Sequence, residues 1–254
     1  MELEYFDLLD NEPIYIKDVG TLKPPTLRDI KKIYNLYETF IVLTTCNVKN
    51  YLQLVGLNDK YNEEEIETLD LYNLIVTNEK MRNLYLTMFS FFICENVTYD
   101  DNNKVFIVWK EIYDKYTEET KYIVVGLINK DNFNNVRSCI AQLNYLSTKN
   151  IQPPKYKNKR AEKIAAKIAK GQSEMSKKSN SDLKLDLPHM ISKYCADNKN
   201  GINLLNVFDL TVYQFYDQFR QHNHIRQSNL QDAIYSHSVS YSDTKFYDPE
   251  LWLK

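Results

Sequence analysis

The sequence predicts an α+β protein that is predominantly helical and contains small β-hairpins. Three observations lead to this fold class. Glycine is rare, with 5 residues in 254, which leaves few positive-φ turns and disfavours an all-β sandwich. Apolar residues recur at helical spacing in most segments, and short alternating stretches bounded by turn residues interrupt them. The composition, 43% hydrophobic and 26% charged, is typical of a folded globular chain.

The first predicted elements are a hairpin and a long helix. The hairpin has a strand over Ile14–Ile16, a turn at residues 18–20 and a return strand over Thr21–Lys23. Two prolines follow, and Thr26 is then suited to cap a helix because Asp29 lies three residues further on. Apolar spacing predicts that this helix runs from Leu27 to about Val48.

The middle of the chain predicts helices on either side of a small sheet. Acidic residues at 63–65 favour a helix start within the stretch 58–78, because carboxylates stabilise helix N-termini. The apolar stretch "NEKMRNLYLTMFSFFICENV" predicts a central, buried helix. A hairpin with its loop at residues 100–103 follows in "NVTYDDNNKVFIVWK", and "KYIVVGLIN" is a candidate third strand. Helical spacing then returns from Phe133 to Leu146.

The C-terminal part predicts further helices. "LPHMISKYCADN" forms the first of them, and Thr211 with Gln214 repeats the capping pattern before the next. The apolar residues of this second helix fall on one side, which indicates a core-facing helix rather than a solvent-facing ring platform. Tyr213 lies off that side and is the best candidate for an exposed contact. "SNLQDAIYSHSVSYS" predicts another helix. The core-facing residues are Val212, Phe215, Tyr216 and Phe219.

A basic segment divides the chain. Residues 155–178 contain nine Lys or Arg against two Glu, a net charge of +7, so the rest of the chain carries −9. We therefore predict an N-terminal α+β domain over 1–150, a basic helix and linker over 151–182, and a C-terminal helical domain over 183–254. The helix would span residues 158–170, with Gly171 ending it. Its cationic contact residues are Lys159, Arg160, Lys163, Lys167 and Lys170.

Three interpretations of this segment stay open. It could dock on an acidic partner or on the acidic body of the chain, it could be an inert connector, or it could bind nucleic acid. Docking is favoured, and nucleic-acid binding is the least supported because neither an arginine-rich tract nor an RNP-type aromatic motif accompanies the lysines.

The sequence contains no recognisable catalytic signature. The patterns G-x-S-x-G, G-x-G-x-x-G and G-x-x-x-x-G-K-[ST] are all absent, and the four cysteines are about fifty residues apart. His222 and His224 point about 200° apart on a helix, so they could not share a metal there. We therefore predict a non-enzymatic protein without cofactor or metal, with reduced, buried thiols. The sequence also shows neither a secretory signal nor an apolar run of membrane-spanning length, which favours a soluble, intracellular protein without membrane contact.

Three stretches resemble proteins of phages and prophages from Gram-positive bacteria. They are "YIKDVGTLKPPTLRDIKKI", "IAQLNYLSTKNIQPPKYKNKRAEKIAAKIAKGQ" and "LLNVFDLTVYQFYDQF". The resemblance covers most of the chain and points to tail assembly chaperones, or more generally to proteins of the phage structural region. One departure is the stretch after Gly171, which is richer in Ser and Lys than such proteins imply.

The resemblance implies a non-enzymatic role in building a phage tail. Such chaperones are similar to factors that hold a tape-measure or baseplate hub protein before the tail tube polymerises. A tape measure is a long helical chain with apolar stripes, so its chaperone needs surfaces for amphipathic helices. The expected partner is thus a tape-measure or hub protein, and self-association into a homo-oligomer remains open. The alternatives are a permanent virion component, such as a baseplate or connector subunit, and a nucleic-acid-binding accessory protein that uses residues 155–178.

Overall fold

The computed structural model describes residues 1–57, 60–114, 119–149, 151, 186–198 and 201–237. These residues form a mixed α+β fold, in which helices predominate and two small antiparallel sheets accompany them. The predicted fold class is therefore confirmed. In chain order the elements are α1 (Tyr5–Leu9), β1 (Ile14–Ile16), β2 (Gly20–Leu22), α2 (Leu27–Lys32), α3 (Tyr34–Thr45), α4 (Val48–Leu54), α5 (Glu63–Thr68), α6 (Leu71–Thr77), α7 (Glu79–Phe92), β3 (Asn96–Asp100), β4 (Val105–Asp114), β5 (Glu119–Ile128), α8 (Phe133–Leu143), α9 (Leu187–Asp197), a 3₁₀ turn (Val207–Asp209) and α10 (Val212–His237).

Both sheets are antiparallel and local in sequence. Strands β1 and β2 pair with Ile14 opposite Leu22, and Asp18 in their turn has a left-handed φ of 63°. The second sheet has the order β3-β4-β5, and its last two strands form a long hairpin. The predicted N-terminal hairpin and the predicted third strand are thus both present.

The core lies where rings from several elements meet. Helix α7 buries Phe89 completely, and its ring centroid lies 5.1 Å from that of Phe106 on β4. Phe133 of α8 lies 5.2 Å from Tyr72 of α6, and Tyr85 of α7 lies 5.5 Å from Phe133. Because each pair joins segments far apart in sequence, these rings hold α6, α7 and α8 against the base of the second sheet.

A buried arginine lies at the C-terminal end of α3. Arg137 of α8 is 1% exposed, and its Nε donates to the carbonyl oxygen of Thr44 at 3.1 Å. Its Nη2 donates to the carbonyl oxygens of Leu43 and Cys46. The guanidinium therefore satisfies carbonyls at a helix C-terminus, where a positive charge is also favoured by the helix dipole.

Two predicted helix boundaries are wrong. The helix predicted from Leu27 to Val48 is broken at Ile33, which has φ −129° and ψ 30° and separates α2 from α3, and α3 ends at Thr45. At the other end of the chain, α10 continues without a break to His237, whereas the sequence predicted a separate helix there. No glycine or proline lies at Ile33 to signal the break, and none interrupts α10.

The chain forms two compact units. The first joins Met1–Ile151 with Phe208–Lys254, and the second comprises Gln152–Val207. Within the first unit, α10 is held beside α2 because the Val212 N–H donates to the Pro25 carbonyl and the Leu27 N–H donates to the Leu210 carbonyl. In the second unit, the described residues include α9, capped by Asp186. The division predicted at residues 151–182 falls almost entirely outside the described residues and stays a prediction.

Candidate functional site

The β4–β5 hairpin has a packed base and an exposed arm. The base comprises residues 105–108 and 126–128, and within it Phe106, Val108 and Ile128 are fully buried. The arm comprises residues 109–114 and 119–125, and its side chains from Lys110 to Tyr113 and from Glu119 to Val124 are exposed. Both faces of the arm are therefore in contact with solvent.

A bulge and a glycine separate the arm from the base. The strand register shifts between Val108, which pairs with Gly126, and Trp109, which pairs with Val124. A Cβ atom on Gly126 would lie 2.5 Å from the carbonyl oxygen of Asp18, so only glycine lets β5 approach the β1–β2 turn this closely. The Leu127 N–H donates to the same oxygen at 2.9 Å. The base is thus anchored at the point where the arm begins.

One face of the arm is aromatic. Residues directly opposite each other share a face, and the register places Trp109 opposite Val124, Glu111 opposite Tyr122 and Tyr113 opposite Thr120. The rings of Trp109 and Tyr122 make edge contact, with centroids 5.4 Å apart. We call Trp109, Tyr113, Tyr122 and Val124 the aromatic face.

This face is unusually exposed for its composition. Tyr113, Tyr122 and Val124 keep 59%, 68% and 60% of their surface in contact with solvent. Contiguous exposed apolar side chains on a soluble surface mark interaction sites more often than single ones do. An isolated two-stranded hairpin is also only marginally stable in water. The arm is therefore the best candidate for a polypeptide-binding surface in the described part of the chain.

The opposite face of the arm is mixed. Ile123 lies opposite Lys110, and Ile112 lies opposite Lys121, so each aliphatic side chain has a lysine across the strand. Ile112 and Ile123 are 40% and 44% exposed. This face is better suited than the aromatic face to remain in solvent, because the lysine stems cover aliphatic surface.

Tyr213 lies in a cluster of tyrosines, where it is half-buried. Its ring centroid is 5.2 Å from that of Tyr145 and 6.5 Å from that of Tyr5. Tyr145 also stacks on Tyr216, with centroids 5.8 Å apart. The ring is therefore less accessible than the sequence suggested, and its role as a partner contact stays a prediction.

Polar contacts tie this cluster to the N-terminal helix. Asp217 is only 5% exposed, and the Tyr5 hydroxyl donates to its Oδ2 at 3.2 Å. Burial, together with the nearby Asp217 carboxylate, raises the pKa of Tyr5. The Gln214 side-chain amide donates to the Leu9 carbonyl at 2.7 Å, and Arg220 donates to the Tyr145 hydroxyl at 3.4 Å. The Tyr5 and Gln214 contacts fasten α1 to α10, and the Arg220 contact joins α10 to Tyr145.

The capping and core predictions for α10 are confirmed where it begins. The Gln214 N–H donates to Thr211 Oγ1 at 3.1 Å, and the Thr211 N–H donates to Gln214 Oε1 at 2.8 Å. Val212 and Phe215 are fully buried, while Tyr216 and Phe219 are half-buried. The rings at the start of α10 thus serve mainly as core.

The predicted cationic contacts cannot be placed. Lys159, Arg160, Lys163, Lys167 and Lys170 all lie outside the described residues.

The histidines and cysteines differ in their burial. His222 and His224 lie on α10 and are half-buried, and the Arg220 Nε–H donates to His224 Nε2 with 3.5 Å between the two nitrogens. Within the described ranges, no three His, Cys, Asp or Glu side chains are grouped so that they could hold a metal ion.

Cys46 and Cys139 are buried as predicted, but Cys94 is exposed and Cys195 is partly exposed. The prediction of four buried thiols is therefore wrong: Cys94 follows the end of the buried helix α7, where its backbone pairs with Thr21.

Residues 176–254 match a protein-family model described as the second domain of YomV, a prophage-region family of Bacillus. The matched segment includes α9 and α10. Comparisons with curated proteins and with solved structures found no match. None of the helices that the structure describes combines the length and apolar composition needed to cross a membrane.

The arm was not predicted as a site. Its strands were predicted, but not that half of the hairpin would be uncovered. The available signal was the charge between the apolar residues, since Lys110, Glu111, Glu119 and Lys121 interrupt both strands of the arm. A ten-residue strand that is apolar at one end and charged at the other is typical of a strand that leaves the core.

Proposed function

We propose that this protein is a non-enzymatic assembly factor of a phage or prophage tail, and that the aromatic face of its arm binds an amphipathic helix of a tape-measure or hub protein. The observation that carries the proposal is the exposure of Tyr113, Tyr122 and Val124 on one face of a two-stranded ribbon. The match of residues 176–254 to a prophage-region family supports the setting.

The dimensions of the arm suit a helix. Its five residues from Trp109 to Tyr113 span about 17 Å, which corresponds to roughly eleven residues of α-helix. A partner helix with aliphatic residues at i, i+3, i+4 and i+7 would place them on Tyr113, Tyr122 and Val124. Aromatic side chains at the centre of an interface commonly dominate its binding energy.

Charge would orient the partner. Glu111 lies on the same face as the rings, directly opposite Tyr122. A lysine or arginine beside the partner's aliphatic stripe would pair with Glu111, whereas an acidic residue there would be repelled. The contact would bury a small area, because only one face of the arm takes part. The complex would therefore be reversible, as an assembly factor requires.

Co-expression with a candidate phage tape-measure protein tests the proposal. The double variant Tyr113→Ser/Tyr122→Ser removes both phenol rings from the aromatic face. We expect it to weaken binding about 100-fold, equivalent to ~2.7 kcal/mol, and to abolish co-purification. The measurement is isothermal titration with the purified partner, or with its predicted amphipathic segments as peptides.

The matched control is Ile112→Ser/Ile123→Ser, which removes two apolar side chains from the opposite face of the same strands. It should bind within about threefold of wild type, a difference of less than ~0.7 kcal/mol. Equal losses in both double variants, or a wild-type protein that neither binds nor solubilises the partner, would contradict the proposal.

A further inference from the structure

The segment that matches the second-domain model does not coincide with a compact unit of the fold. Residues 176–254 match the model, whereas the compact units are Gln152–Val207 and the combination of Met1–Ile151 with Phe208–Lys254. The matched segment is therefore divided after Val207. Its earlier part, with α9, belongs to the second unit, and its helix α10 belongs to the same unit as residues 1–151.

The start of α10 is joined to the start of α2 through the backbone. Thr26 caps α2 and Thr211 caps α10, and these two residues form an isolated antiparallel β-bridge. Beside the bridge, the Val212 N–H donates to the Pro25 carbonyl at 2.9 Å. Thr211 and Val212 are both fully buried. Because a buried N–H without an acceptor is costly, the first turn of α10 depends on the chain around Pro25.

Side chains continue this contact further along α10. Asp217 is only 5% exposed, and the described residues supply it with a hydrogen-bond donor in the Tyr5 hydroxyl. The ring of Tyr145 stacks on that of Tyr216, and the Gln214 amide donates to the Leu9 carbonyl. The buried carboxylate and the amide of α10 are thus satisfied by residues that lie outside the matched segment.

The residues just before α10 also pair with α2. The Arg28 guanidinium lies 2.6 Å from Asp209 Oδ1, and Lys31 Nζ lies 4.9 Å from the centroid of the Phe208 ring. Exposed ion pairs contribute little to stability, so these contacts orient the approach to α10 more than they hold it.

We infer that the matched segment is not a self-contained domain, and that α10 has an obligate binding partner, which in this chain is the surface formed by residues 1–32 and Tyr145. The partner has a defined chemistry: a carbonyl and an N–H at a helix start for the bridge, and a hydroxyl donor for Asp217. A chain that carried this second domain without such a first part would have to bind the same kind of surface on another protein. The inference rests on the contacts of α10 and not on the function proposed for the arm.

Hydrogen exchange of the full-length protein tests the inference from the side of the partner. Tyr5→Phe removes the hydroxyl that donates to Asp217 and deprives the buried carboxylate of that hydrogen bond. We expect the backbone amides of residues 214–220 to exchange at least about tenfold faster than in wild type, because local opening of α10 becomes easier. In a self-contained second domain, a change at Tyr5 would leave these amides unaffected.

The matched control is Tyr15→Phe, which makes the same chemical change at a tyrosine of β1 that is 63% exposed. Exchange of the α10 amides should then stay within about twofold of wild type, because an exposed hydroxyl can be replaced at little cost.

The reverse experiment changes α10 and follows the first part of the chain. Val212→Ala removes buried methyl groups beside the bridge and should speed exchange of the amides of residues 27–30 at least about tenfold. Among these, the Leu27 N–H donates to the Leu210 carbonyl. Leu230→Ala is the control, because Leu230 also lies on α10 but is 60% exposed, and it should change the exchange by no more than about twofold.

Two results would overturn the inference: unchanged exchange in α10 when Tyr5 is replaced, or unchanged exchange at residues 27–30 when Val212 is replaced. Equal acceleration by a variant and its control would also overturn it, because that would reflect a general loss of stability rather than this contact. Partner binding by the arm is measured with variants of Tyr113 and Tyr122, so the two proposals can fail separately.

Discussion

At its base the β4–β5 hairpin buries Phe106 and Val108 completely, whereas in its arm Tyr122 and Val124 keep 68% and 60% of their surface exposed. The same two strands, with the same kinds of β-branched and aromatic residue, thus meet opposite environments within a few residues. The difference lies in what covers them: Phe89 of α7 contacts Phe106, while no element among the described residues covers the arm. An apolar strand residue is therefore core or contact surface depending on its neighbours, and composition alone does not separate the two.

Polar groups at the base and in the arm also differ in their hydrogen-bond partners. At the base, the Tyr72 hydroxyl lies 2.8 Å from the Lys104 carbonyl oxygen and 3.1 Å from that of Ile128, so a buried phenol has acceptors on the hairpin itself. Buried polar groups need such partners, whereas exposed ones can use water. The base is accordingly specialised for stability, and the arm remains available for binding.

Replacing one ring in each region should give the largest contrast. Phe106→Ala removes a fully buried ring, and we expect a loss of about 3–5 kcal/mol in the free energy of unfolding. Tyr113→Ala removes a ring of the arm and should change it by less than ~0.5 kcal/mol. Urea denaturation of both variants measures the difference. Similar losses would show that the arm is as much a part of the core as the base is.

A methyl group at the junction should have the next largest effect. Gly126→Ala forces β5 away from the Asp18 carbonyl, which lies 2.5 Å from the added Cβ, and it also strains the Leu127 hydrogen bond. Overpacking and a lost hydrogen bond together predict a loss of about 2–4 kcal/mol in the free energy of unfolding.

Thr120→Ala is the control for this prediction, because it changes an exposed residue of the same strand by a comparable amount. Its free energy of unfolding should stay within about 0.5 kcal/mol of wild type. If Gly126→Ala is equally harmless, the close contact with the β1–β2 turn does not anchor the hairpin.

Alkaline pH should lower the free energy of unfolding through Tyr72 at the base, by a smaller amount than the substitutions above. Burial raises the pKa of Tyr72 well above its ordinary value of 10.0, so the unfolded chain ionises first as the pH rises. The stabilisation is complete below pH 10 and is lost as the pH increases towards the folded-state pKa, by at most ~1.4 kcal/mol per pH unit for this group. Tyr72→Phe should be less stable than wild type at pH 8, and the difference should shrink above pH 10. Parallel stability curves would contradict this.

Much of the local structure was predictable because its causes are local. The Thr26–Asp29 capping box, with an Asp29 N–H to Thr26 Oγ1 distance of 3.1 Å, follows from residue types three positions apart. The strand at Ile14–Ile16 and the buried helix α7 likewise follow from short-range periodicity.

The predictions were wrong where contacts between residues far apart in sequence determine the local structure. The break at Ile33 has no breaking residue, and the end of α3 at Thr45 coincides with carbonyls taken by Arg137, about ninety positions away. Cys94 was predicted to be buried because apolar residues precede it, but its backbone pairs with Thr21 and its side chain is exposed. Neither outcome can be read from a window of neighbouring residues.

The sequence by itself determined the fold class, most of the helices and strands, and the capping boxes at Thr26 and Thr211, because hydrophobic period and side-chain capping act over a few residues. Only the tertiary structure decided which apolar residues form the core and which form the aromatic face of the arm. The physical reason is that burial requires two surfaces to meet. For Phe106 the second surface comes from Tyr72 and Phe89, whereas for Tyr122 the ring contact in the described part of the chain is the edge of Trp109.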